Sequence, residues 1–382
     1  MILRVPDYYE EFACIADRCK GSCCAGWEID IDEPTRDYYC TVPGEIGERM
    51  REKLYRGEDG GYRFRLSEDG RCPFLNSGNL CDIITALGQE ALSEVCTDFP
   101  RFSLSYGHVM QRVLSISCEE VGRILFSKRE PVSFVEHRME CMADWEEEAD
   151  EEYIAFLEGL QSCAIRLLQE RTHALSERVQ DFLFLCEWGQ SVINRRGGEE
   201  ASDGGGAFPD PFADWSAESG TEKLCPGDRK WVLEWCAGGD DGELYEAFDI
   251  RFGILEGLEE LGLEWVQAKR QVREVLTADS YARLRREYMA SDSFDATAYE
   301  QLLVYFTFRY FMQAYYSYDL LAYGRMVVGF TLMIRDLDIC RWSMNGKRLG
   351  PDDRIDTAHV FSREVEHSEE NFEQVQEEFL FL

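Results

Sequence analysis

Apolar residues recur at helical spacing over most of the chain beyond residue 150. Tyr153, Phe156, Leu157, Leu160, Ala164, Leu167 and Leu168 fall on one helical face, and Leu175, Val179, Phe182, Leu183 and Cys186 continue the pattern. It resumes at Arg229 and runs to about Trp342, with breaks at 238–242 and 290–296. Asn345-Gly346 signals a turn, and the acidic stretch from Ala358 to Phe379 predicts a final helix. The first 128 residues read differently. Trp27 to Asp32 and Tyr62 to Leu66 alternate apolar and polar positions, which predicts short strands; Met110 to Ile116 predicts another. Asp82 to Leu92 and Glu119 to Phe126 predict short helices. Pro100 restrains Phe99 towards extended backbone, so Cys96 to Arg101 predicts a loop. The expected fold class is α+β, predominantly helical: a small Cys-rich module over 1–128, then a larger all-α part over 129–382. An acidic segment, 144–152, separates them. A Gly-, Ser-, Asp- and Pro-rich stretch predicts a flexible loop near 197–228, with Gly204-Gly205-Gly206 as linker. No fixed-period repeat is present.

A chain of 382 residues has room for two or three domains with substantial cores. Its formal net charge of −34 excludes non-specific binding to nucleic acid, whose phosphates need a basic surface. The most apolar region, Leu302 to Ile334, is interrupted by Arg309, Asp319 and Arg325, so buried helices are expected there and no membrane span. The first residues lack a basic start followed by an apolar run, so a reducing, cytoplasmic location is expected. In that setting clustered cysteines are metal ligands or redox groups rather than disulfides.

The 15 cysteines are unevenly spread. Eight form a frame: Cys14, Cys19, Cys23, Cys24, Cys72, Cys81, Cys96 and Cys118. Thiolates this close suit a soft metal or an iron–sulfur cluster. Cys23 and Cys24 are adjacent, so in a regular element their side chains diverge; either they serve different sites or the backbone turns there, which Gly21 and Gly26 allow. Cys72 and Cys81 flank a hairpin-like loop that brings them together. Cys40, Cys141, Cys163, Cys186, Cys225, Cys236 and Cys340 read as core or incidental residues. The frame admits two four-thiolate sites, or one site plus structural cysteines.

These residues resemble a known family. Cys14, Cys19, Cys23, Cys24, Gly26 and Trp27 are similar to the start of flagellin lysine-N-methylases. So are Gly70 to Leu75 with Leu80-Cys81, Leu87-Gly88, Cys96 to Arg101, and Ser117 to Glu120. The same segments resemble the wider group of CxxCxxCC-type zinc- or iron-chelating domains. Phe361 to His367 and Asn371 resemble the family's C-terminal signature. The resemblance implies a cytoplasmic enzyme that methylates lysine ε-amines of a flagellin-like protein. It implies S-adenosylmethionine as donor and an iron–sulfur cluster of the 4Fe-4S kind, with zinc as the alternative. The eight cysteines are then the metal ligands. No Gly-rich strand-to-helix loop of the common methyltransferase type is present, and Cys24 directly after Cys23 departs from the radical Cys-x3-Cys-x2-Cys pattern, so no donor-binding residue is assigned. The rival function is a non-enzymatic zinc- or iron-binding or metal-delivery protein.

Methylation requires a neutral amine, whereas an ordinary lysine has a pKa of about 10.4. The site must therefore desolvate it or accept its proton. Asp98 and Arg101, beside Cys96, are candidate polar groups near the cluster; the competing reading is a local salt bridge. Glu366 and His367 are a candidate proton acceptor and its orienter; the competing reading is an interhelix contact. The aromatic band of Tyr305, Phe306, Phe308, Tyr310, Phe311, Tyr315, Tyr316 and Tyr318 reads as helix core or as a lysine channel. His108, His137, His173 and His359 carry no supporting pattern.

Overall fold

A computed structural model describes residues 1–27, 29–139, 149–197, 207–215, 224–236 and 238–381. Cys141, most of the acidic segment and Gly204 to Gly206 lie outside them. The N-terminal part begins with β1 (Ile2–Pro6) and β2 (Asp30–Ile31), then α1 (Glu33–Thr41), α2 (Gly44–Lys53), β3 (Leu54–Arg56) and β4 (Tyr62–Phe64). It continues with α3 (Asp82–Leu87), α4 (Glu94–Asp98), β5 (Arg101–Tyr106), β6 (Val109–Leu114), α5 (Glu119–Ser127) and β7 (Phe134–Arg138), a strand inside the expected all-α part of 129–382 that instead pairs with β1. Two sheets result. The larger has the order β5-β6-β1-β7, with β1 parallel to β6 (Ile2 opposite Val109) and antiparallel to β7. The smaller has the order β2-β4-β3.

Local chemistry explains the main boundaries. Asp32 caps α1 by accepting from the Thr35 amide at 2.9 Å, and Pro34 sits in the first turn, where it costs no hydrogen bond. In β6 the positions facing the helices, Val109, Gln111 and Val113, are buried, as period-two alternation requires. Two expectations shift. The strand predicted from Trp27 pairs only at Asp30 and Ile31. Cys96 lies inside α4, not in a loop; the chain turns just after that helix ends at Asp98, at the cis Phe99–Pro100 bond.

The helical part contains α6 (Glu151–Leu168), α7 (Leu175–Gly197), α8 (Pro211–Asp214), α9 (Pro226–Leu233), α10 (Asp241–Gly257) and α11 (Leu263–Val275). It ends with α12 (Tyr281–Met289), α13 (Ala296–Tyr310), α14 (Ala314–Ser317), α15 (Leu320–Met344), α16 (Pro351–Val365) and α17 (Glu369–Phe381). So the described part of the expected 197–228 loop holds a short helix capped by Asp210 and the start of α9. The single final helix is instead two. Ser368 caps α17 through its hydroxyl to the Asn371 amide, an arrangement that competes with continuing α16. Glu366 and His367 occupy the bend between them. Leu302 to Ile334 spans α13 to α15, with both helices almost wholly buried; among the described residues no helix is long and apolar enough to cross a membrane.

Two hydrophobic cores form. The smaller lies within residues 29–96, around Ile31, Tyr39, Met50, Phe64 and Phe74. The larger joins the four-stranded sheet, through Val113 and Leu114, to the helices around α13 and α15. The cysteine frame lies where the two meet the C-terminal bend.

Candidate functional site

Backbone pairing gathers the thiols. The Cys72 amide donates to the Cys24 carbonyl at 2.7 Å, and the Gly26 amide to the Gly70 carbonyl at 2.9 Å, so the first cysteine segment lies along residues 70–72. A bridge between Leu75 and Cys81 closes the hairpin that carries Cys72 and Cys81. Mutual electrostatics divide the nest into two neighbouring groups. Cys24 interacts with Cys72, Cys81 and Cys96; Cys19 and Cys118 interact with each other and with Cys14. Cys23 joins them: it hydrogen-bonds Cys24 and also feels Cys14 and Cys96. The adjacent pair thus stays together, through a turn at residues 23–24.

The donor chemistry suits a metal–thiolate group. Backbone amides lie near the thiols and ease their ionisation: Gly21 beside Cys19, Phe74 beside Cys72, Ile83 and Ile84 beside Cys81, Glu120 and Val121 beside Cys118, and the Ala16 amide donates to the Cys14 sulfur at 3.4 Å. Such donors favour sulfur in its anionic form and tune metal–thiolate centres. Without a cation the thiolates are disfavoured. Burial raises Cys19 and Cys72 to about 12 and Cys96 to about 11. The hydrogen bond from Cys23 lowers Cys24 to about 7 and holds Cys23 protonated. A bound cation reverses this preference. The nest is also open. Four thiolates around a tetrahedral zinc lie about 3.8 Å apart, whereas among the described residues no three of these thiols come within 4.8 Å of one another. Eight cysteines exceed the four ligands of a single tetrahedral zinc.

One wall of the nest comes from the far end of the chain. Arg363, on α16, donates to the Ala25 carbonyl and lies 4.5 Å over the Trp27 ring. Trp27 in turn donates to the Cys23 carbonyl at 2.7 Å. His367 stacks on Trp27 with centroids 5.3 Å apart and touches Phe99 and Phe102. Its Nε2 is 2.9 Å from Ser115 Oγ and 2.7 Å from Ser117 Oγ, next to Cys118. Burial, then the positive charges of Arg309 and Arg363, lower its pKa to about 3, so the ring is neutral. Glu366 points elsewhere. It accepts from Tyr310 at 2.6 Å, Arg309 at 2.9 Å, Ser362 at 2.5 Å and Tyr305 at 3.2 Å. The serines, not Glu366, orient His367.

The remaining candidates separate. Asp98 is exposed, while Arg101 donates to Tyr9 at 3.0 Å, so no local salt bridge joins them. Tyr305 and Tyr310 of the aromatic band are buried on Glu366, whereas Tyr316 and Tyr318 are exposed. A cavity of about 50 Å³ beside Arg309, lined by Phe102, Gln111, Phe308 and Gln313, is far smaller than the roughly 300 Å³ of a typical ligand pocket. Cys163, Cys186 and Cys340 are core residues. Cys225 lies with Glu187 and Asp228 within 4.8 Å, but Arg325 already supplies their cation, at 2.9 Å from Asp228 and 3.3 Å from Cys225. Asn371 is buried and ties Glu259 to the Glu364 carbonyl, bracing the bend. Sequence reasoning gave Ser115, Ser117, Arg363 and His359 no role; Arg363 and His359 meet the N-terminal segments only through the fold.

A thiol nest closed by a helical C-terminal domain defines the class, and sequence comparison gives the family. Residues 246–381 match the FliB lysine N-methylase C-terminal domain. The chain is 32% identical over 126 residues to the lysine-N-methylases of Salmonella typhimurium and Salmonella choleraesuis, which is 31% of this chain and 31% of each relative. It is likewise 32% identical over 126 residues to the flagellar biosynthetic protein FliU of Salmonella muenchen, covering 75% of that protein. No solved structure matches the chain significantly. The chain belongs to the flagellin lysine-N-methylase family. Its match spans under a third of the length of the two lysine-N-methylases.

Proposed function

We propose that this chain transfers a methyl group from S-adenosylmethionine to lysine ε-amines of a flagellin-type protein, with an iron–sulfur cluster held by cysteines of its N-terminal frame. The observation that carries the reading is the meeting of two parts: the family's C-terminal domain, through α16 and the bend after it, packs against the thiol nest. S-adenosylmethionine supplies an electrophilic methyl, and when bound the cluster ties residues 14–24 to 72–118. The attacking group is a lysine nitrogen that must shed its proton first. An apolar surface such as Trp27, Phe99 and Phe102 disfavours the ammonium form. The nitrogen's lone pair forms the new C–N bond, the C–S pair stays on sulfur, and the excess proton leaves. His367, neutral and held by two serines, is the uncharged polar group there, beside Arg363 over Trp27 and Arg309 over Phe102.

The test starts with anaerobic purification and analysis of iron, acid-labile sulfide and the visible spectrum. Iron with matching sulfide is expected, followed by a donor-dependent mass gain on lysines of flagellin. Stoichiometric zinc without sulfide removes the cluster from the reading. Absence of any mass gain with cluster-replete protein removes the methylase and leaves a metal-binding or delivery role.

A further inference from the structure

Acidic residues outnumber basic ones 74 to 40, so carboxylates are plentiful around the arginines of this chain. Two half-buried arginines at the thiol nest nevertheless lack one: among the described residues no carboxylate forms an ion pair with Arg363 or Arg71. The Arg363 guanidinium donates to the Ala25 carbonyl, lies over the Trp27 ring and fills the space that a Cβ on Gly26 would need. Its charge and Cys23 favour each other. Arg71 precedes Cys72, and its backbone pairs with Ala25. Its side chain donates to the neutral Asn79 Oδ1 at 2.8 Å, and its charge favours the Cys24 thiolate. One cation from the N-terminal part and one from α16 thus converge on a single turn, residues 23–26, and on its two adjacent thiols. Withdrawing a charge from water without a partner is costly, so the two together call for a group of opposite sign at that turn. An iron–sulfur cluster held by thiolates is such a group, because its ligands bring more negative charge than its core carries positive.

We propose that Arg71 and Arg363 are the counter-charges of the cluster: they offset the thiolates on its Cys23 and Cys24 side and hold its reduction potential up. The inference rests on the cluster reading above. Neither arginine is a ligand, since a guanidinium offers donors and no acceptor. Reduction adds one electron, and so one negative charge, to the centre. A fixed cation beside it stabilises the reduced form more than the oxidised one. Removing that cation favours the oxidised form and lowers the potential.

The test uses full-length protein purified anaerobically, with iron and sulfide measured first. Dithionite supplies the electrons in a titration, and the visible spectrum and electron paramagnetic resonance read the midpoint potential. Arg363→Met and Arg71→Met keep an apolar stem and remove the charge; Arg363→Lys and Arg71→Lys keep the charge. Each Met variant is expected to shift the redox equilibrium roughly tenfold towards the oxidised form, about 59 mV for one electron, and each Lys variant to recover most of that shift. If Arg363→Met fails to fold, the Arg71 variants decide the matter. Unmoved potentials in cluster-replete Met variants overturn this inference and leave the cluster reading intact. An equal fall in the Lys variants also overturns it, because the effect is then one of packing and not of charge. Protein lacking iron and sulfide overturns both readings.

Discussion

His367 is held without its proton by burial and by two neighbouring arginines, and this links stability to pH. Its folded pKa of about 3 lies below the unfolded value near 6.5. Below pH 6.5 the unfolded chain binds a proton that the folded chain refuses. This histidine's share of stability is therefore intact above pH 6.5 and is lost as pH falls towards 3. The unaltered protein should lose roughly 2 kcal/mol between pH 7 and pH 5 from this group, and His367→Phe should flatten that slope. Urea unfolding of both proteins at the two pH values checks it; equal slopes would remove the assignment. At this scale the sequence shows residue types well and partners poorly. The cysteines are legible because thiols at close spacing have few other uses. Arg363 is not, because the carbonyl it reaches lies 338 positions away.

Helices in the body meet at places where a side chain is missing. Gly329 of α15 packs under α17: a Cβ there would lie 2.5 Å from Phe379 Cε1 and 3.5 Å from Trp231 Cη2. Gly253 of α10 has nothing within 4 Å of its imagined Cβ. Alanine raises helix propensity at both positions by up to about 1 kcal/mol, but at Gly329 overpacking costs about 1–3 kcal/mol. Gly253→Ala should raise the midpoint of thermal unfolding and Gly329→Ala should lower it, as differential scanning calorimetry would read. Element by element, the long helices follow from apolar periodicity, and the Cys72–Cys81 hairpin from the loop residues between them. Strand β1 was missed because Ile2–Pro6 does not alternate and its partners, β6 and β7, are more than a hundred residues on. The break between α16 and α17 was missed because the periodicity runs straight through it and only the Ser368 cap interrupts the backbone.

As a whole, the molecule has a small core at 29–96 and a large one beyond it, with the thiols between them. Removing a metal from that seam should loosen the small core first. A chelator is expected to open residues 12–100 to protease while most of the far-ultraviolet helical signal remains; unchanged cleavage there would refute a metal-dependent seam. The seam's far wall comes from α16 and the bend after it, with Arg363 reaching Ala25 across 338 positions and His359 reaching Ser117 across 242. That separation has a meaning in time. A ribosome adds about 5–20 residues per second, so roughly 10–50 s pass between the making of the last framed cysteine and the making of the helix that covers it. During that interval the thiols are bare, open to metal delivery and to oxidants alike, and the arrival of α16 ends it.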